Sequence, residues 1–95
     1  MLSIENIKDK VIPLAQKYRA KRVALFGSYA DGTATEKSDA DFLVEFVTTP
    51  SIFAVMGLRE EISRILGCPV DLVTLPMPRP ERLHWDKTVS IYEQP

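Results

Sequence analysis

Two short apolar runs in this chain each end against polar residues, and the two polar groups are ten residues apart. Gly27-Ser28 directly follows Arg22-Val23-Ala24-Leu25-Phe26, and ten residues later Asp39-Ala40-Asp41 opens the run that continues to Phe46. The first run has the length and composition of a buried strand. The second alternates, with Asp39, Asp41, Leu43 and Glu45 directed one way and Ala40, Phe42, Val44 and Phe46 the other, as a strand with one apolar face and one acid-bearing face. With average residue usage, such a Gly-Ser and Asp-x-Asp spacing arises by chance on the order of once in a thousand chains of this length. That spacing, flanked by strands on both sides, is a strong signal of a chemical site.

The remaining segments supply cover for those strands. Ile4, Ile7, Val11, Leu14, Ala15 and Tyr18 recur at helical spacing, with Ser3 placed to cap the helix and Pro13 expected to kink or interrupt it. Residues 31–38 read as a loop. After the break at Thr48-Thr49-Pro50-Ser51, a second long helix is expected at about 52–66, closed by Gly67. Val70-Asp71-Leu72-Val73-Thr74-Leu75 reads as a third strand ended by Pro76, Pro78 and Pro80. A short helix over Glu81 to Lys87 and an extended tail over Val89 to Tyr92 complete the pattern. The expected class is α/β (α+β), a small mixed sheet flanked by helices, in a single domain spanning all 95 residues.

Composition narrows the function. The net charge of −1 offers no basic face for sequence-independent nucleic-acid binding, so phosphate chemistry requires a local site. Cys68 is the single cysteine, which excludes an internal disulfide, and its apolar neighbours mark it as a small buried hydrophobe. No signal peptide or membrane-spanning run is apparent, so a cytoplasmic setting is expected.

A Gly-Ser turn at a strand end exposes amide N–H groups, allows close approach to a phosphate, and adds a hydroxyl donor. Alone it is more often a plain turn. Asp39 and Asp41, projecting from one strand face, repel each other unless a cation intervenes, and hard oxygen ligands favour magnesium. Asp71 interrupts an apolar strand; it either marks an exposed strand start or faces the cleft of the first pair. His84 beside Trp85 reads as a surface helix position. Met56 and Phe53 read most simply as core, although Phe53, Trp85 and Tyr92 could instead form a partner-facing patch.

The run LFGSYADGTATEKSDADFLVEF, followed by VDLVTL, resembles the minimal nucleotidyltransferases of the polymerase-beta superfamily, and more narrowly the MNT antitoxins paired with HEPN-domain toxins. The resemblance spans about residues 4 to 93. It implies a polymerase-beta-like nucleotidyltransferase fold, with Asp39, Asp41 and Asp71 as catalytic residues and ligands of one or two Mg2+ ions. Gly27 and Ser28 would contact the triphosphate of ATP or another nucleoside triphosphate. The implied reaction attaches a nucleotide to a hydroxyl of a HEPN toxin, in a hetero-oligomer, and releases pyrophosphate. The chain departs from the pattern at Asp31, where relatives often carry an arginine, and Lys37 is the cation in the same loop that could replace it. The alternative is a catalytically weak antitoxin that neutralises its partner by occlusion.

Overall fold

The computed structural model describes residues 3–35, 38–75 and 88–94. The expected helix over Glu81 to Lys87, with His84 and Trp85, lies outside the described residues, as does Lys37.

Helix α1 spans Ile4–Lys17 and begins where the Ser3 hydroxyl oxygen accepts the Asn6 N–H at 3.1 Å. Its stripe is buried as the spacing predicts, with Ile7, Val11 and Ala15 fully covered. The expected interruption at Pro13 does not occur, and the helix runs through it. Proline removes one bond, to the carbonyl of Asp9, and both residues are exposed, so water can satisfy that carbonyl.

The chain then reverses through Arg19, the one non-glycine among the described residues with a positive φ, 57°. Left-handed backbone ends helices readily but costs a residue bearing a Cβ about 1–2 kcal/mol. Arg19→Gly is therefore expected to stabilise the fold by about 0.5–1 kcal/mol after the extra chain entropy of glycine is subtracted. Urea unfolding would measure this, and an unchanged midpoint would contradict it.

Strand β1 spans Ala20–Phe26, adding buried Ala20 and exposed Lys21 to the run read from the sequence. One turn of helix, α2 (Ser28–Asp31), follows, and then β2 (Ala40–Phe46). Helix α3, Ile52–Leu66, starts at the cap formed by Ser51 and ends at Gly67 in the left-handed region. Strand β3 is Val70–Leu75, and the extended tail is a true strand, β4, Val89–Glu93.

The sheet order is β3-β2-β1-β4. Strand β1 pairs antiparallel with both β2 and β4, and β2 pairs parallel with β3 across the α3 crossover. The core lies between α1, α3 and one sheet face, where Phe42, Leu25, Val23, Val44, Leu58 and Ile62 are fully covered. The mixed sheet flanked by helices matches the expected class.

Phe53 and Met56 are not core. They are 81% and 45% exposed, because α3 buries the side bearing Leu58, Ile62 and Leu66. Helical period identified the apolar positions but not which of them meets the sheet.

A polar cluster helps to join the two long helices. The Tyr18 hydroxyl donates to Glu61, and Lys17 Nζ lies 2.9 Å from the same carboxylate. Gly57 leaves room for the tyrosine, since a Cβ there would stand 2.9 Å from its hydroxyl. The hydrogen bond from Tyr18, then that from Lys17, holds the Glu61 carboxyl below its ordinary range. A depressed carboxyl stabilises the fold above the unfolded-state value and loses that contribution as pH falls through the folded one. Glu61→Gln should thus unfold more easily than wild type at pH 7, with the difference closing under strongly acidic conditions. A difference independent of pH would show that the link is not ionic.

Candidate active site

Sheet register assembles the site. Phe26, the last residue of β1, lies opposite Asp41 of β2, and Asp41 lies opposite Asp71 of β3. Register partners on neighbouring strands direct their side chains to the same face, so Asp41 and Asp71 stand side by side. Both features considered for Asp71 are present: it is exposed near the start of β3, and it lies beside Asp41. Because Gly27 follows Phe26, the turn arrives over Asp41 as well.

The contact with the turn is close. A Cβ built on Gly27 would overlap Asp41 Oδ2, so only glycine lets the turn backbone lie against that carboxylate. Gly27 has φ 73° and ψ −149°, a combination essentially restricted to glycine. Its carbonyl accepts the Ala30 N–H at 3.0 Å and starts α2, while the Ser28 carbonyl accepts the N–H groups of Thr33 and Ala34. With only four residues, α2 contributes little dipole. What the turn offers is backbone proximity and the half-buried Ser28 hydroxyl.

Electrostatics mark Asp41 as the central acid. Its carboxyl is pushed above the ordinary range, first by burial, then by the charges of Asp71 and Asp39, and by a hydrogen bond shared with Asp71. Carboxylates this close repel each other unless a cation stands between them. Asp39 is exposed, immediately before β2, and acts on Asp41 through its charge. Among the described residues, no three acidic, histidine or cysteine side chains are gathered as a metal cage. Asp41 and Asp71 nevertheless suit a hard divalent cation, since two carboxylates share one sheet face beside the glycine turn.

Of the other residues singled out from the sequence, Asp31 ends α2. Cys68 is half-buried rather than buried, and burial followed by the charge of Asp39 pushes its thiol up, away from reactive thiolate. The close approach of Gly27 to Asp41 was not foreseen. Its signal was the pairing of two strand ends, which becomes visible once Phe26 and Asp41 are placed opposite each other.

A mixed four-stranded sheet with a glycine turn over paired acids is the framework of enzymes that transfer nucleotidyl groups. The chain belongs to the nucleotidyltransferase domain family, whose model matches residues 4–93, and it is a nucleotidyltransferase. It is 47% identical over 78 residues to a candidate protein adenylyltransferase of Methanocaldococcus jannaschii, an alignment covering 77% of this chain and 79% of that protein. It is 36% identical over 77 residues to the protein adenylyltransferase MntA of Thermococcus cleftensis, covering 77% and 78%. Its backbone matches a crystallised toxin–antitoxin bound to AMP-PNP with a TM-score of 0.79 and 25% identity, over 92% of this chain and 73% of that one.

Proposed function

We propose that this chain is a magnesium-dependent protein adenylyltransferase that moves AMP from ATP to a hydroxyl of a HEPN-domain toxin and so acts as its antitoxin in the cytoplasm. The observation that carries the reading is the Asp41–Asp71 pair lying against the Gly27 turn. The names of the two adenylyltransferase relatives and the toxin–antitoxin neighbour support it. So does the absence, among the described residues, of a helix long and apolar enough to cross a membrane.

Asp41 and Asp71, with Asp39 swung inward, would hold the magnesium ion or ions. A bound ion of this kind neutralises charge on the triphosphate and on the departing pyrophosphate. Gly27 admits the phosphate chain close to the backbone, and the Ser28 hydroxyl donates a hydrogen bond to a phosphate oxygen. Lys37 is available in the same loop as a further cation. Asp71, the more exposed of the pair, accepts the proton of the acceptor hydroxyl. The freed oxygen bonds to the α-phosphorus as the bond from α-phosphorus to the bridging oxygen breaks, and pyrophosphate leaves with that electron pair.

The test is label transfer to the purified toxin. Label from α-labelled ATP should appear on the toxin in the presence of magnesium, and label from γ-labelled ATP should not. Transfer of the γ label, or of neither, would defeat the proposal. A second reading, neutralisation by occlusion with little catalysis, is favoured by the presence of an acid, Asp31, where relatives often carry an arginine. The readings separate on one variant: occlusion requires that Asp41→Asn still neutralise the toxin.

A further inference from the structure

The connection from α3 to β3 is short, Gly67-Cys68-Pro69, and one side chain ties it down. The half-buried Ser63 hydroxyl, near the end of α3, donates to the Cys68 carbonyl at 2.7 Å. The Ser63 carbonyl also accepts the Gly67 N–H at 2.8 Å, so this residue fixes both the helix end and the start of the connection. Helix α3 is itself seated by Leu58, Ile62 and Leu66 in the core. Ser63 therefore stands on a firmly packed element.

Beyond Cys68 the connection meets the start of β2. The Pro69 carbonyl accepts the Ala40 N–H at 3.0 Å. That N–H belongs to the peptide joining Asp39 to Ala40, and the bond leads into the parallel ladder in which Asp41 lies opposite Asp71. The Cys68 thiol reaches the same peptide, where the charge of Asp39 acts on it and the Ala40 backbone bonds to it. Asp39 is exposed and precedes β2, and neither ladder of β2 extends to it. Its backbone is braced instead from its two sides, by the Pro69 bond and by the Ser38 N–H donating to the Thr35 carbonyl at 3.0 Å.

We infer that Ser63 is a positioning residue for Asp39: by fixing the Cys68-Pro69 segment it holds the Asp39–Ala40 peptide where the Asp39 carboxylate can join Asp41 and Asp71 on a divalent cation. The inference rests on the metal-dependent reading above and adds to it a residue on neither of the strands that carry the acids. Ser63 acts through Asp39, the one acid of the three that strand pairing leaves unsupported.

The experiment measures Mn2+ binding to the full chain from the paramagnetic resonance signal of the free ion. Thermal unfolding and hydrogen exchange of the Ala40 amide are recorded on the same variants. Ser63→Ala should weaken Mn2+ binding about fivefold, the worth of one intramolecular hydrogen bond, and speed Ala40 exchange about tenfold. Ser63→Thr keeps the hydroxyl and should return both to within about twofold of wild type. In an Asp39→Asn background, Ser63→Ala should cost no further affinity, because the carboxylate it positions is gone. Mn2+ binding by Ser63→Ala within about twofold of wild type would overturn the inference and leave the acids as the metal site. So would an equal loss with and without the Asp39 carboxylate, or a loss that Ser63→Thr fails to rescue. Absence of Mn2+ binding by the wild-type chain would bring down the metal-dependent reading itself, and this inference with it.

Discussion

Asp41→Asn is expected to cut transfer of α-labelled nucleotide by about 10³-fold while leaving the fold as stable as wild type or slightly more so. The activity loss follows from the position of Asp41 between Asp71 and the Gly27 turn, where its charge is needed to hold a cation against the triphosphate. Charge stabilisation of several kcal/mol at such a site, at 1.36 kcal/mol per tenfold in rate, gives that factor. The stability prediction has an independent origin. Burial and the charges of Asp71 and Asp39 raise the Asp41 carboxyl. A raised carboxyl favours the fold below its unfolded-state value and forfeits that as pH rises through the folded value. At neutral pH the metal-free protein therefore carries an unfavourable charge, and asparagine removes it at nearly constant volume. Activity should collapse as the unfolding temperature holds or rises. Transfer within tenfold of wild type would refute the role of Asp41, and a lower unfolding temperature would refute the account of its environment.

Gly27→Ala should damage both properties. The backbone at φ 73° and ψ −149° is disfavoured for any residue with a Cβ, at a cost of about 1–3 kcal/mol, and the added methyl would overlap Asp41 Oδ2. Either the carboxylate rotates away or the turn lifts, and in both cases phosphate and acid are separated. Activity is expected to fall about 10²-fold or more, since misplacement of reacting groups by about 1 Å carries that penalty. The two causes can be resolved in a double-mutant cycle with Asp41→Ala, which deletes the colliding oxygen but leaves the dihedral strain. The stability cost of Gly27→Ala should shrink in that background without vanishing. An identical cost in both backgrounds would show that the contact with Asp41 is unimportant.

Much of this was visible in the sequence for reasons of local physics. The stripe from Ile4 to Tyr18 and the alternation from Ala40 to Phe46 are statements about periodicity, and both became elements, although Leu43, on the acid-bearing face, is buried and Phe46 is only half-buried. Gly27-Ser28 and the aspartates were legible through their spacing. The rest depended on contacts between distant parts of the chain. Whether Asp71 faced the cleft was undecidable locally because its neighbour Asp41 is thirty residues away and meets it only after α3 has crossed over. Phe53 was misjudged because apolar spacing does not state which side of a helix meets a sheet. The left-handed turn at Arg19 carried no glycine to announce it, and Pro13 sits in a helix at an exposed position, as does Asp9, whose carbonyl it leaves unbonded.

The parallel pairing of β2 and β3 has a wider consequence. Peptide hydrogen bonding fixes the gap between adjacent strands at about 4.8 Å whatever side chains cover them. The distance between two carboxylates borne on facing positions is accordingly set by the backbone ladder and insulated from drift in the surrounding helices. Covering residues can change wholesale while the acids keep their spacing.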